Sequence, residues 1–335
     1  MGGIKLKQLI ELNKPWLDTD GNRIQAHGGS ILYVNHKYYF YGENKEKTKA
    51  KSGIWHNGVN CYSSEDLINW KFEGTILKPS NSIEEPLHPS RIMDRPHIIY
   101  NKKNDMYVMW MKLVGTDKNP KDWKHQYMGV ATSKTITGEF KIVNKLIPLG
   151  MSSGDFDLFV DDDEKAYLIF GKVHTEIIVA DLNDDYLDLT GEYTSHLHFY
   201  GPPIAREAPA VFKKDDEYFM ITSGTTGYYP NQSLAAKATN IHGPWYITGD
   251  PFIGDVEKNS FNCQVSSVFK DPRSNKLIAV GDRWIVDLSK EKEKSSWNID
   301  TSISEYVWLP IEIINGVPQI EWFSHWNING EGVLK

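Results

Sequence analysis

The chain has 335 residues, enough for one large domain or two smaller ones with a substantial core. Its 37 basic and 44 acidic side chains leave a net charge of −7, which argues against nucleic acid or an anionic membrane surface as the partner. The two cysteines, Cys61 and Cys263, lack the spacing of a zinc site, and we expect two buried thiols in preference to one disulfide. No apolar run approaches the roughly 20 residues that a membrane-spanning helix needs.

Aromatic residues make up 12% of the chain beside 26 glycines and 16 prolines, a composition typical of short strands joined by tight turns. In chain order, a pair of short apolar strands joined by a polar turn recurs five times. The second strand of each pair begins at an apolar or aromatic anchor, and consecutive anchors lie 51 to 69 residues apart: Tyr38, Tyr107, Tyr167, Tyr218 and Leu277.

Between these pairs lie further strands, so each unit supplies about four, the content of one propeller blade. We therefore predict an all-β protein, a single five-bladed β-propeller domain spanning residues 1–335. The segment Pro318–Trp326 returns to complete a blade and close the ring. A pair of packed sheets is the alternative, and the even spacing of the units argues against it.

The innermost strand of a propeller blade lines a central channel, so its first residues face a shared axial pocket. The residues 11 to 13 positions before the anchors are all polar: His27, Asp94, Asp155, Glu207 and Gln264. Three converging carboxylates repel each other, which raises the proton affinity of at least one of them. A protonated carboxyl facing a second polar group is the arrangement that cleaves glycosidic bonds.

Aromatic side chains near the strand ends are candidates for packing against the C–H faces of a sugar ring: Trp55, Tyr127, Tyr228, Tyr229 and Trp284. The alternative interpretation makes the acidic residues turn formers and the aromatic residues part of the core. Five polar residues in one register favour a shared site over that alternative.

The sequence resembles glycoside hydrolase family 43, whose members are five-bladed propellers. The resemblance runs from Ile24–Ser30 and Tyr39–Lys45 through Asp155–Phe159 and Glu207–Ala210 to Tyr306–Pro310. Within the family, further segments are most similar to the exo-β-1,3-galactanase branch: Asp94–Pro96, Ile221–Gly227, Cys263–Gln264 and Gly281–Trp284.

The resemblance implies an inverting exo-glycosidase that releases galactose from β-1,3-galactan. It makes Glu207 the general acid, Asp155 the carboxylate that orients the acid and tunes its pKa, and Gln264 the holder of the attacking water. The family's first-blade aspartate is absent, because Ala26-His27-Gly28 stands there, and Asp94 replaces a glutamate, so the base assignment stays open between Gln264 and Asp94.

The resemblance also assigns sugar contacts to Glu43, Tyr127 and Thr225, beside Tyr228 and Trp284. For Glu43 the alternative is a surface salt bridge to Lys45 or Lys47. His27 is included among the substrate-binding residues, although a structural role near Gly28 and Gly29 is favoured for its ring.

The sequence also allows two rival functions. One is another family 43 activity, such as α-L-arabinofuranosidase, β-xylosidase or β-galactofuranosidase, and the other is a glycan-binding propeller without catalysis. We expect no metal and no organic cofactor, an oligosaccharide or polysaccharide substrate, and a monomer without nucleic-acid or membrane partners. The location is open: cytoplasmic, or secreted or periplasmic after removal of a leader.

Overall fold

The computed structural model describes residues 9–116, 118–119, 122–291 and 295–328. Within these ranges the regular structure is β-strand, apart from three 3₁₀ turns at Pro148–Gly150, Ser296–Asn298 and Thr301–Ile303. Five sheets of four or five strands are present, and their innermost strands contact one another in a closed circle. The predicted all-β, five-bladed β-propeller is therefore confirmed, and the alternative of two packed sheets is not the fold.

Blade one contains β2 (His27–Val34), β3 (Lys37–Glu43), β4 (Val59–Ser64) and β5 (Lys71–Leu77). Blade two contains β6 (Ile92–Asn101), β7 (Met106–Val114), β8 (Gln126–Ser133) and β9 (Lys141–Leu146). Blade three contains β10 (Ser153–Val160), β11 (Ala166–Lys172), β12 (Glu176–Leu182) and β13 (Leu189–His196). Blade four contains β14 (Arg206–Lys214), β15 (Glu217–Gly224), β16 (Leu234–Ala238) and β17 (Tyr246–Gly249).

Blade five contains β19 (Gln264–Lys270), β20 (Leu277–Arg283), β21 (Glu305–Ile314) and β22 (Val317–Glu321), with β18 (Phe252–Ile253) added parallel to β22. Two short strands near the ends of the described chain, β1 (Ile10–Glu11) and β23 (His325–Trp326), pair with each other. The segment Pro318–Trp326 thus completes blade five and then meets the N-terminal strand. The extent of the domain over residues 1–335 stays a prediction, because both ends lie outside the described residues.

The five anchors occupy the first or second position of the second strand in every blade, and all five side chains are buried. Each one follows a polar turn, and in three of the five a turn side chain accepts from the backbone, as Asn101 does from the N–H of Asn104. Because side chains alternate along a strand, this shared register gives all blades the same inward and outward pattern.

The hydrophobic core lies between the blades. Strands of blades one and two enclose one apolar cluster, and blades two and three enclose another around Trp110 and Phe170. Blades five and one meet through Phe40 and Trp308, whose ring centroids are 4.8 Å apart at an interplanar angle of 83°. Such edge-to-face pairs contribute about 0.5–1.5 kcal/mol beyond their buried area, so the aromatic residues hold neighbouring blades together. Cys61 and Cys263 are buried free thiols, as expected.

Each innermost strand carries a β-bulge close to its start. In all five, one extra residue of the inner strand interrupts the pairing with the second strand, as between Asp94 and His97 and between Glu207 and Ala210. In three blades the residue after the site position has a left-handed backbone: Gly28 at φ 61°, Arg95 at φ 52° and Ala208 at φ 49°. The bulge re-aims the side chains at the strand start toward the channel axis.

Candidate active site

A cavity of about 380 Å³ opens at the starts of the innermost strands. Four of the five predicted axial residues line it: Asp94, Asp155, Glu207 and Gln264. The ends of the second strands add Glu43 and Lys112, and neighbouring loops add Trp55, Trp123, His174, Thr225, Tyr228 and Trp284. The repeat therefore brings one polar residue from each of blades two to five into a single pocket.

Asp155 is held as a carboxylate by two cations. Its Oδ2 accepts from Nε of Arg95 at 3.0 Å and its Oδ1 accepts from Nζ of Lys112 at 3.0 Å. Burial by itself would raise the pKa of Asp155, but the two positive charges outweigh it and lower the pKa to about 2. Asp155 is therefore ionised across the physiological range.

Glu207 has the opposite environment. Burial and then the nearby negative charge of Asp155 raise its pKa to about 8, against the weaker effects of Lys112 and Arg95. Its Oε1 accepts one hydrogen bond of 3.3 Å from Nε2 of Gln264. Glu207 therefore carries a proton at neutral pH, whereas the neighbouring Asp155 does not. Two carboxyl groups whose pKa values are pushed apart in this way can take the different roles of proton donor and charged partner.

Gln264 is fixed by four hydrogen bonds. Its Nε2 donates to Glu207 and, at 2.8 Å, to Oγ of Ser223. Its Oε1 accepts from Nη2 of Arg95 at 2.6 Å and from Nε1 of Trp284 at 3.1 Å. The surrounding donors and acceptors thus define the orientation of the amide, and its longest contact is the one to Glu207.

Glu43 from blade one and Asp94 from blade two line the pocket where these two blades meet. Asp94 accepts from Nε1 of Trp55 and lies 3.8 Å from Nζ of Lys112. Glu43 is buried, accepts from the backbone N–H of Arg95 at 3.0 Å and pairs with the buried Lys45. Burial raises the pKa of Glu43 to about 7 despite the opposing charge of Lys45.

Glu43 therefore lies in the pocket, and its pairing with Lys45 is an internal contact: the side chains are both 1% exposed. The surface salt bridge considered from the sequence is not what the structure shows.

An aromatic wall closes one side of the cavity. Tyr228 lies between Trp55 and Trp284, with ring centroids 5.8 Å and 5.0 Å away. Trp123 meets the edge of Trp55 at 5.7 Å and is 40% exposed. Thr225 also borders the pocket, while its hydroxyl donates to the backbone oxygen of Ala205. These faces are suited to the apolar side of a sugar ring.

Three residues that the sequence points to are not among those that line the cavity. His27 is fully buried, donates from Nδ1 to Asp282 at 2.8 Å and stacks on Tyr306 at 4.7 Å. Tyr127 accepts from Nη2 of Arg91 and packs between blades, and Tyr229 borders a smaller adjacent cavity. The sugar contacts assigned to His27 and Tyr127 gain no support from this placement.

Sequence reasoning missed the cations of the site, although the repeat contains a signal for one of them. The residue five positions after each anchor is polar and lies within the last three residues of a second strand, in the order Glu43, Lys112, Lys172, Ser223 and Asp282. These residues pair with the starts of the innermost strands, as Lys112 pairs with Asp94 and Ser223 with Glu207. A second polar register could therefore have been found beside the first.

Across the described ranges, no group of three or more His, Cys, Asp or Glu side chains is arranged to hold a metal ion. In the same part of the chain, no helix has the length and apolar character needed to cross a membrane.

Comparison with known proteins places the chain in a family. The sequence profile of Glycosyl hydrolases family 43 matches residues 23–308. The fold superposes on a GH43 β-1,3-galactosidase with a TM-score of 0.82, at 33% identity over 95% of this chain and 63% of that one. It also superposes on the exo-β-1,3-galactanase of Phanerochaete chrysosporium solved with β-1,3-galactotriose, with a TM-score of 0.82, at 29% identity over 98% of this chain and 70% of that one.

A curated relative, the xylan 1,3-β-xylosidase of a Vibrio species, is 24% identical over 65% of this chain. The match covers 40% of that relative's own length, so the chain corresponds to a part of it. With the propeller, the acid pair and the family match over most of its length, the chain belongs to glycosyl hydrolases family 43.

Proposed function

We propose that the protein is an inverting exo-glycosidase that releases galactose from β-1,3-galactan. The observation that carries the proposal is that one cavity holds the Glu207 carboxyl beside the Asp155 carboxylate, which two cations bind. Burial raises the pKa of Glu207, so that this side chain keeps its proton, and the Lys112 and Arg95 cations keep Asp155 charged. The galactose assignment follows the two solved relatives, which are a β-1,3-galactosidase and an exo-β-1,3-galactanase.

The chemical step uses Glu207 as general acid. Its proton passes to the glycosidic oxygen as the bond from that oxygen to C1 breaks, so the leaving sugar departs as a neutral alcohol. Asp155 stays ionised, orients the acid and holds its pKa high. A water attacks C1 from the opposite face, which inverts the configuration.

The attacking water is assigned to Gln264. The amide already has four partners, and the 3.3 Å contact to Glu207 is the longest of its hydrogen bonds. Arg95 and Trp284 hold the amide in orientation, so that the side chain can fix a water in the pocket. The proton that the water loses needs a carboxylate, and Asp94 is the candidate for this role.

Sugar recognition is assigned to the blade-one side and the aromatic wall. Glu43 offers carboxylate oxygens to hydroxyl groups, and Tyr228 and Trp284 offer flat faces to the ring carbons. Thr225 borders the same space. One terminal sugar enclosed by these groups is what an exo-acting enzyme requires.

A β-xylosidase is the second candidate, because curated relatives at 24% and 26% identity carry that name. The catalytic pair serves either substrate, since the difference lies in the contacts to the sugar rather than in the acid. A glycan-binding propeller without turnover is the third outcome that the experiment must address.

The test is hydrolysis of β-1,3-galactobiose and galactotriose beside nitrophenyl xyloside, arabinofuranoside and galactofuranoside. We expect galactose from the first two, seen by NMR as the α-anomer before mutarotation. Xylose release without galactose release transfers the assignment to the second candidate. Absence of turnover on every substrate, with retained sugar binding, refutes both enzymatic functions.

A further inference from the structure

Lys112 is a charged residue within a strand whose other side chains are apolar. Strand β7 reads Met-Tyr-Val-Met-Trp-Met-Lys-Leu-Val, and the Lys112 side chain is only 8% exposed. A buried ammonium costs several kcal/mol in desolvation unless anions surround it. The position therefore calls for an explanation in the chemistry of the pocket.

The ammonium of Lys112 stands between two carboxylates. Its Nζ is 3.0 Å from Oδ1 of Asp155 and 3.8 Å from Oδ2 of Asp94, and it lies 5.5 Å from the centre of the Trp123 ring. The stem comes from blade two, while Asp155 comes from blade three. The contact thus crosses the blade boundary at the pocket floor.

The other charged or titratable neighbours of Asp155 also have partners or roles of their own. Arg95 binds Oδ2 of Asp155 and also donates to Gln264, and its backbone N–H donates to Glu43. Glu207 faces the pair from blade four and carries the proton. His174 lies close enough for Lys112 and Asp155 to act on its pKa, which burial lowers, so that it adds no firm positive charge.

We propose that Lys112 is a positioning residue that keeps Asp155 ionised and thereby leaves the single proton of the Asp155–Glu207 pair on Glu207. This inference rests on the proposed function, since it concerns the acid of that reaction. Two neighbouring carboxyls that share one proton give it to the partner with less positive surroundings, and Lys112 makes the surroundings of Asp155 the more positive.

The effect of removing the charge has a definite sign. In Lys112→Met the stem remains and the ammonium is lost, so ionised Asp155 keeps only Arg95 as a direct cationic partner. Ionisation of Asp155 then moves to higher pH, and that of Glu207 moves in the same direction because Lys112 also opposes its pKa rise. An opposite charge at this distance accounts for about 1–3 pH units, so the acidic limb of the rate profile should rise by about one unit or more.

The experiment measures kcat/KM on β-1,3-galactobiose from pH 3 to pH 10 for the wild type, Lys112→Met and Lys112→Arg. With the pKa of Asp155 at about 2, the acidic limb of the wild type lies below this range. We expect it to enter the range in the methionine variant, the basic limb to move upward by less, and both to return toward the wild-type profile in the arginine variant. Lys172→Met is the matched control, because Lys172 also borders the cavity but pairs with Glu176. Its limbs should stay in place. If the methionine variant does not fold, Lys112→Gln makes the same comparison.

A loss of rate in Lys112→Met without movement of either limb overturns the inference, because a purely structural role lowers activity at every pH alike. A second readout needs no turnover: carboxyl ¹³C NMR titration of the free enzyme, with the Asp155 and Glu207 signals assigned by their absence in Asp155→Asn and Glu207→Gln. If galactobiose is not hydrolysed, the proposed function fails, and an upward shift of the Asp155 titration in Lys112→Met still supports the role of Lys112. An unshifted titration refutes that role whatever the substrate is.

Discussion

Gly28 is the position where a single added methyl group should disturb the site most directly. Its φ of 61° is left-handed, and a Cβ at this residue would lie 2.5 Å from Oε1 of Glu43. That oxygen cannot swing away freely, because the backbone N–H of Arg95 donates to it and Lys45 holds the other oxygen. In Gly28→Ala the Glu43 carboxylate must therefore move by close to an ångström and weaken its bond to Arg95.

The left-handed backbone costs about 1–2 kcal/mol with a side chain, and the weakened hydrogen bond to a buried carboxylate adds about 1–2 kcal/mol. We therefore expect Gly28→Ala to lower the free energy of unfolding by about 2–4 kcal/mol. A displacement of this size in a substrate contact can reduce kcat/KM by up to about 100-fold. Thermal unfolding and kcat/KM on β-1,3-galactobiose measure the two effects.

Gly150→Ala is the matched control, since Gly150 has φ 68° and open space where its Cβ would lie. It should show only the backbone cost and leave kcat/KM unchanged. If Gly28→Ala behaves like Gly150→Ala in both measurements, the contact with Glu43 does not constrain the site and the reasoning fails.

Four further predictions concern the catalytic groups. Glu207→Gln should lower kcat on β-1,3-galactobiose by about 10²–10⁴-fold but slow an aryl galactoside much less, because a phenolate leaves without protonation; equal losses on both would contradict the acid role. The pKa of about 8 of Glu207 lies above that of a free carboxyl, so the folded protein retains a proton that the unfolded chain has lost and stability falls as pH rises between about 4.5 and 8. Glu207→Gln should accordingly raise the melting temperature at pH 8. Asp155→Asn should lower the free energy of unfolding by about 3–5 kcal/mol, because Lys112 and Arg95 are left with one anion fewer. Melting curves at pH 5 and pH 8 test the sign of both effects. Gln264→Ala should abolish turnover with the fold intact, and a normal rate would transfer the water to Asp94.

The fold could be predicted from the sequence because the repeating positions are buried residues. The anchors Tyr38, Tyr107, Tyr167, Tyr218 and Leu277 sit in equivalent places because each must fill the same space between neighbouring blades. The polar residues at the starts of the innermost strands were found by the same register, and four of those five line the cavity.

The remaining part of the site depends on features that a linear sequence does not display. Tyr127 and Gln126 are neighbours on one strand, and Gln126 is the one that lines the cavity, because successive side chains point to opposite faces. Arg95 reaches Asp155 and Gln264 from a left-handed position in a bulge, and an arginine carries no sign of that conformation. His27 starts its strand as expected, but its ring is taken up by Asp282 and Tyr306, so that Glu43 faces the pocket instead.

The bulges at the starts of the five innermost strands separate the residues that line the pocket from those that pack between blades. In an unbroken strand, inserting or deleting one residue inverts the facing of every later side chain. Here the extra residue lies between the pocket end and the packed end, so the alternation that fills the core begins anew beyond it. The pocket end can thus change its chemistry from one relative to another while the interblade packing keeps its register, which makes the ring a frame for many different sugar sites.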